Sequence, residues 1–140
     1  MAKTLFPMLQ PEAVAAQDEL PLCREAAWDF AEGRPIFRDG APVLVTGRDA
    51  VKVWCWKALL TVRARYEIYS WDFGCEVETL IGQNYSEELK RAEAARYVRE
   101  ALEGNPYVTE VSGVKVDFGD GLLAVSATVH TVYGEVEVGV

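Results

Sequence analysis

Asp72, Glu76 and Glu78 are the first residues in this chain whose types and spacing could do chemistry. A pair of carboxylates, one of them held protonated, cleaves glycosides, so a small cell-wall glycan hydrolase of lysozyme-like type is one reading. It requires both groups to face one cleft. Glu76 and Glu78 stand two positions apart, and on a helix such residues point in different directions. Arg63 and Arg65 lie nearby and offer partners, so structural ion pairing is favoured over catalysis. His130 is the one histidine. It alternates with apolar residues in a strand pattern and faces the more polar side, and no nucleophile or orienting acid marks itself as its companion. Cys23, Cys55 and Cys75 are odd in number and spaced like neither a disulfide framework nor a zinc site. Their roles are read as structural or incidental, with Cys55 a small core residue. Gly119-Asp120-Gly121 lacks the lysine and helix of a phosphate loop and reads as a hairpin turn. The residues imply no enzyme, no cofactor and no metal.

The bulk properties narrow the classes further. The formal net charge is −8. Affinity for phosphate rests on basic patches, so nucleic acid is not an expected partner. Half the residues are apolar, but no run reaches the roughly 18 residues of a membrane span, and no membrane role is expected. The first residues, MAKTLFPMLQPEAV, carry no apolar stretch of the signal-peptide kind, which implies synthesis in the cytosol. At 140 residues a single α+β domain is expected.

Several elements must position these side chains. Residues 1–25 read as an N-terminal arm ahead of a domain over 26–140. Pro7, Pro11 and Pro21 interrupt the arm, which has room for two helical turns over Glu12 to Glu19. Leu5, Phe6, Met8, Leu9, Leu20 and Leu22 are too apolar for a solvated tail, so it is expected to dock on something. A β-meander follows, with strands over Ala27–Phe30, Ile36–Arg38 and Pro42–Val45; Trp28 and Phe30 share one face. Thr46 is positioned to cap a central helix, with Asp49 completing a capping box. On that helix Val51, Trp54, Cys55, Ala58, Leu59 and Val62 form one apolar stripe, and Val53, Trp56 and Leu60 a second. A helix apolar on two sides is buried on two sides. Glu76 to Ile81 makes a short helical turn stopped by Gly82. Ser86 caps a second long helix that ends at Gly104 and Pro106, with Ala94, Ala95, Val98, Ala101 and Leu102 inward. From Tyr107 the chain reads as an antiparallel sheet with a bulge at Ser112-Gly113 and a turn or kink at Gly134.

The resemblance enters through Trp56-Lys57-Ala58-Leu59-Leu60-Thr61, Arg65-Tyr66-Glu67-Ile68-Tyr69-Ser70, Phe73-Gly74-Cys75-Glu76 and Leu80-Ile81-Gly82. Together these resemble the signature of XkdS-like baseplate proteins of Gram-positive contractile phages and tail-like bacteriocins, which are similar to the sheath initiator of the T4-type baseplate wedge. The likeness runs from Leu5-Phe6-Pro7 to Thr131-Val132-Tyr133-Gly134-Glu135. It implies a non-enzymatic virion or tail-particle protein that nucleates sheath assembly, six copies ringing the tail tube at the top of the baseplate. The implied partners are the tail sheath protein, the baseplate wedge proteins and the neighbouring tube. It implies a structural core that includes Trp54, Leu59, Tyr66, Tyr69, Gly74, Glu76, Leu80 and Gly82. Asn105, Pro106 and Tyr107 occupy the place where T4-type relatives carry Glu-Pro-Arg and grip the wedge; only the proline is shared. The sheath-binding segment is then Thr131, Tyr133, Glu135, Val136, Glu137, Val138 and Val140. This last strand has no lysine or proline to shield it, an edge that invites pairing. Removing Glu135 to Val140 is expected to leave a folded domain that cannot start a sheath.

Overall fold

The computed structural model describes residues 19–70, 72–119 and 122–140. The expectations for the first eighteen residues, for Trp71 and for Asp120-Gly121 lie outside the described residues.

The fold is α+β. A C-terminal antiparallel sheet carries two helices on one face, and a small N-terminal β unit covers the first helix. That unit comprises β1 (Arg24–Ala26), β2 (Trp28–Asp29), β3 (Arg34–Pro35), β4 (Phe37–Arg38), β5 (Ala41–Pro42) and β6 (Leu44–Thr46). β2 pairs with β3, β4 with β5, and β1 with β6, all antiparallel. Asp29 starts the first turn by accepting the N–H groups of Ala31 and Glu32 at 3.0 Å. Asp39 and Gly40, both at positive φ, make the second, a two-residue hairpin turn of the kind Asp-Gly favours. Ala27 donates to Val43 O (2.7 Å), Val43 to Ile36 O (2.9 Å) and Ile36 to Ala27 O (2.9 Å). The expected meander is therefore folded into a closed triangle, its first strand leaning on its third. Trp28 and Phe30 do share a face, and both meet Trp56, with ring centroids 5.8 and 5.5 Å away.

Helix α1 spans Arg48–Leu60. Thr46 is not its cap. It pairs with Arg24 as the last residue of β6, and Gly47, at φ 63 and without a side-chain bond, makes the turn into the helix. Val51, Cys55 and Ala58 are buried against the sheet and the second helix. Ala50 and Val53 are buried too, on the side where α1 meets β1 and β6. Two-sided burial thus holds for the small residues. Trp54, Trp56 and Leu59 are only half-buried, and Leu60 is exposed.

Between Thr61 and Gly82 the chain runs out and back. Val62 meets Cys75 in a single parallel bridge, and Cys75 N–H donates to Thr61 O at 2.9 Å. Gly74 sits at φ +110, and a methyl group there would lie 2.8 Å from Thr61 O. Val77–Leu80 forms a 3-10 turn whose Val77 and Leu80 are buried. Tyr66 and Tyr69 were expected in the core, but they are 51% and 45% exposed. They instead extend an aromatic ladder outward from Trp54 through Phe73, with centroid spacings of 5.6, 4.8 and 6.2 Å.

Helix α2 (Glu87–Glu103) is capped by Ser86, whose Oγ accepts Leu89 N–H at 3.2 Å. Ala94, Val98, Ala101 and Leu102 are buried; Ala95 is half-buried. Its wet face carries Arg96 between Glu93 and Glu100, exposed pairs that contribute little to stability. The sheet has the order β7 (Val108–Asp117), β8 (Ala124–Thr131), β9 (Gly134–Gly139). The expected bulge is present: the register jumps from Ser112↔Thr128 to Lys115↔Ser126, with Gly113 at φ +59. α2 lies against β7 and α1 against β9. The largest fully buried side chains are Leu102, Val51, Val98, Val129, Val138 and Cys55, each contributing roughly 1.5–3 kcal/mol where the apolar group is large.

All three cysteines are free. Burial, and then the charge of nearby Cys23, pushes the Cys55 thiol up to about 12; burial also raises Cys75. The thiolate is the reactive form. At pH 8 iodoacetamide is therefore expected to label half-exposed Cys23 first, with Cys55 and Cys75 reacting only after denaturation. Peptide mass spectrometry reads this directly, and rapid labelling of Cys55 in the folded protein would contradict the packing described.

Candidate functional site

The backbone of β9 has two unlike edges. Val125 and Val140 exchange both of their backbone hydrogen bonds, each 2.9 Å. Opposed residues in an antiparallel ladder alternate between bonded and non-bonded pairs. With Ala127 opposite Val138 and Val129 opposite Val136, those pairs also bond inward to β8. Glu135, Glu137 and Gly139 therefore turn their N–H and C=O groups away from β8, and no strand among the described residues lies on that side. The side chains alternate as well: Val136 and Val138 are 8% and 2% exposed, while Glu135 and Glu137 stand on the wet face. The burial alternation expected for this strand is observed. The consequence expected for the deletion does not follow from it. Deleting Glu135 to Val140 would remove two core valines and so damage the domain itself.

The residues before β9 position it. Thr131 and Gly134 enclose the Val132-Tyr133 turn, which makes β8 and β9 a hairpin. Thr131 Oγ1 donates to Gly134 O at 2.6 Å and accepts Tyr133 N–H at 3.0 Å. The Tyr133 ring stacks on Tyr107 at 5.9 Å and 18°. Its hydroxyl accepts Cys23 N–H at 3.0 Å, and the Tyr107 hydroxyl donates to Pro21 O at 2.6 Å. Two rings thus pin the incoming chain from Pro21 onward to the hairpin, and Arg24 and Glu25, placed in the arm by sequence, already form β1. Thr131 and Tyr133 face inward and hold the edge in place. Val140 bonds to Val125 and lines an apolar groove of about 220 Å³ with Leu59, Leu60 and Ile81.

Asn105 is 5% exposed. Its Oδ1 accepts Tyr107 N–H at 2.8 Å and its carbonyl accepts Val108 N–H at 3.0 Å, so the carboxamide serves the turn from α2 into β7. Of Asn105, Pro106 and Tyr107, Pro106 is the exposed one. The carboxylates that could have done chemistry are ion-paired: Arg63 lies 3.6 Å from Glu76 and 3.9 Å from Asp72, and Arg65 lies 3.9 Å from Glu78. His130 Nε2 is 2.9 Å from Ser112 Oγ, and its Nδ1 is 3.8 Å from Glu135.

Residues 24–134 match the family described as the contractile injection system sheath initiator. The chain belongs to the sheath-initiator family. It is also 29% identical over 96 residues, 68% of each chain, to the phage-like element PBSX protein XkdS of Bacillus subtilis (strain 168). Sheath initiators are structural components of contractile tails, and the resemblance read from the signature residues is borne out at the level of family and fold. The hydrolase reading gains no support from the family or from the paired carboxylates. Among the described residues, no helix of this sheath initiator is long and apolar enough to cross a membrane, and no cluster of three or more His, Cys, Asp or Glu is placed to hold a metal.

Sequence reasoning named the glutamates and valines of the last strand alike and passed over Gly139, whose backbone faces outward. A signal was available. A two-residue turn makes its flanking pair, Thr131 and Gly134, a bonded pair, which sends every second residue from Gly134 inward and the intervening ones out.

Proposed function

We propose that this sheath initiator nucleates the sheath by lending β9 as a template strand to the tail sheath protein. The observation that carries the reading is the outward-turned backbone of Glu135, Glu137 and Gly139, on a strand that itself contains neither lysine nor proline. An added strand gains main-chain hydrogen bonds with little demand on side-chain fit, which suits a contact that must persist while sheath subunits rotate. The resemblance supports six copies to a ring around the tail tube, held by baseplate wedge proteins. Exposed Pro106 is the member of the Asn105–Tyr107 motif best placed for a wedge contact. The protein acts without catalysis, in a virion or tail-like particle assembled in the bacterial cytoplasm.

Co-expression with the baseplate and sheath proteins of the same gene cluster tests this by electron microscopy. Wild-type protein is expected to give extended sheaths on baseplates. Protein carrying Glu137→Pro is expected to join baseplates that remain bare of sheath. Full-length sheaths on that variant would refute strand donation by β9.

A further inference from the structure

A trench crosses the wet face of the sheet and opens at the free edge of β9. Lys115 stands opposite Ser126, and Ser126 opposite Gly139. Opposed residues put their side chains on one face. The row therefore runs from a cation on β7, over a small hydroxyl on β8, to a glycine on β9 that leaves its end open. The neighbouring row, Thr128 opposite Glu137, makes one wall. Lys52 of α1 lines the same groove, whose volume is about 430 Å³, and its Nζ lies 5.3 Å from the Phe30 ring centroid. Neither lysine is ion-paired among the described residues. Two cations and two hydroxyls thus share the groove with one carboxylate, that of Glu137.

Resting on the strand-donation reading, we propose that the sheath strand added to β9 carries a glutamate opposite Gly139, whose carboxylate enters this trench toward Lys52 and Lys115. A residue opposite Gly139 on an added strand has its side chain on the wet face. That strand lies three strand spacings from β7, about 14 Å. A glutamate and Lys115, reaching toward each other over Gly139 and Ser126, span it. The hydroxyls of Ser126 and Thr128 can donate to the incoming carboxylate. Glu137 then sets the register. An acid slipped by two positions, the smallest slip that keeps its face, would oppose Glu137 and be repelled. A second copy of β9 could offer its own Glu137 to the trench, but each copy carries a formal net charge of −8, which opposes self-association.

The test is the affinity of the full-length protein for the purified sheath protein of the same gene cluster, measured at low salt and at about 0.5 M salt, where surface charges are screened. Lys115→Glu is expected to weaken binding about tenfold at low salt and much less at high salt, and Lys115→Arg to bind like wild type. Lys115 is exposed and lies two strands from the donated edge, so backbone pairing alone would not feel its charge. Gly139→Gln, which fills the trench with a neutral side chain, is expected to weaken binding about tenfold at both salts. A methyl group on Gly139 would meet Val125 O at an ordinary 3.7 Å, so the strand accepts a side chain there; unchanged melting curves establish folding for each variant. If Glu137→Pro abolishes binding while Lys115→Glu or Gly139→Gln binds like wild type, the trench contact is overturned and strand donation stands. If Glu137→Pro binds normally, strand donation fails and the trench contact fails with it. Size-exclusion chromatography of the protein alone checks the rival occupant: a dimer that Lys115→Glu breaks would put a second copy's Glu137 in the trench and overturn the assignment to sheath.

Discussion

Val138→Pro is expected to lower the melting temperature by about 10–20 °C, whereas Glu137→Pro, one residue away, should lower it by only a few degrees. The difference is one of direction. Val138 turns its N–H toward Ala127 in β8, and its side chain is among the largest fully buried ones. Proline there removes a ladder bond and vacates part of the core, together roughly 3–5 kcal/mol from a domain whose whole stability is of order 5–15 kcal/mol. Glu137 turns its N–H away from β8 and its side chain to water. Proline there costs some backbone adjustment, about 1 kcal/mol, and removes a donor that only an added strand would use. Thermal unfolding by circular dichroism separates the two. Equal losses would mean that the bonding parity of β9 is the reverse of that described.

Gly74→Ala is expected to cost about 2–5 kcal/mol and to disturb the packing of the whole 61–82 excursion. Alanine at φ +110 meets the left-handed penalty of roughly 1–2 kcal/mol. Its Cβ would also lie 2.8 Å from Thr61 O and 2.9 Å from Arg63 N and Cα. These are backbone atoms on a bridged segment that cannot swing aside, so overpacking adds about 1–3 kcal/mol. Gly82→Ala is the control. Its φ is +81, but a methyl group there meets nothing within 4 Å, so only the conformational penalty applies. Urea unfolding of both variants should rank Gly74→Ala clearly below Gly82→Ala; the opposite order would mean that the Val62–Cys75 bridge is not what fixes this loop.

The fold was legible where periodicity and punctuation agree. Ser86 with Glu87 and Glu88 announces α2, and Gly104 with Pro106 ends it. The parity break between Val108 and Val111 announces the bulge at Ser112-Gly113. Thr46 misled because capping chemistry and strand chemistry favour the same residue; the pairing of β1 with β6, a contact across the whole N-terminal unit, decided for the strand. Tyr66 and Tyr69 misled because aromatic residues are read as core, while a loop running out from Trp54 can stack them on one another in solvent. At the candidate site, the alternation of valine and glutamate was plain. The direction of the backbone groups was not, since it depends on the length of the Val132-Tyr133 turn.

The central claim is that sheath assembly begins as strand addition to β9. A cryo-electron microscopy map of the junction between baseplate and first sheath disc tests it most directly. The account predicts a sheath strand beside β9, bonded to the backbone of Glu135, Glu137 and Gly139, making the sheet at least four strands wide. A map in which that edge is bare and sheath meets the outer edge of β7 or the N-terminal β unit would contradict it.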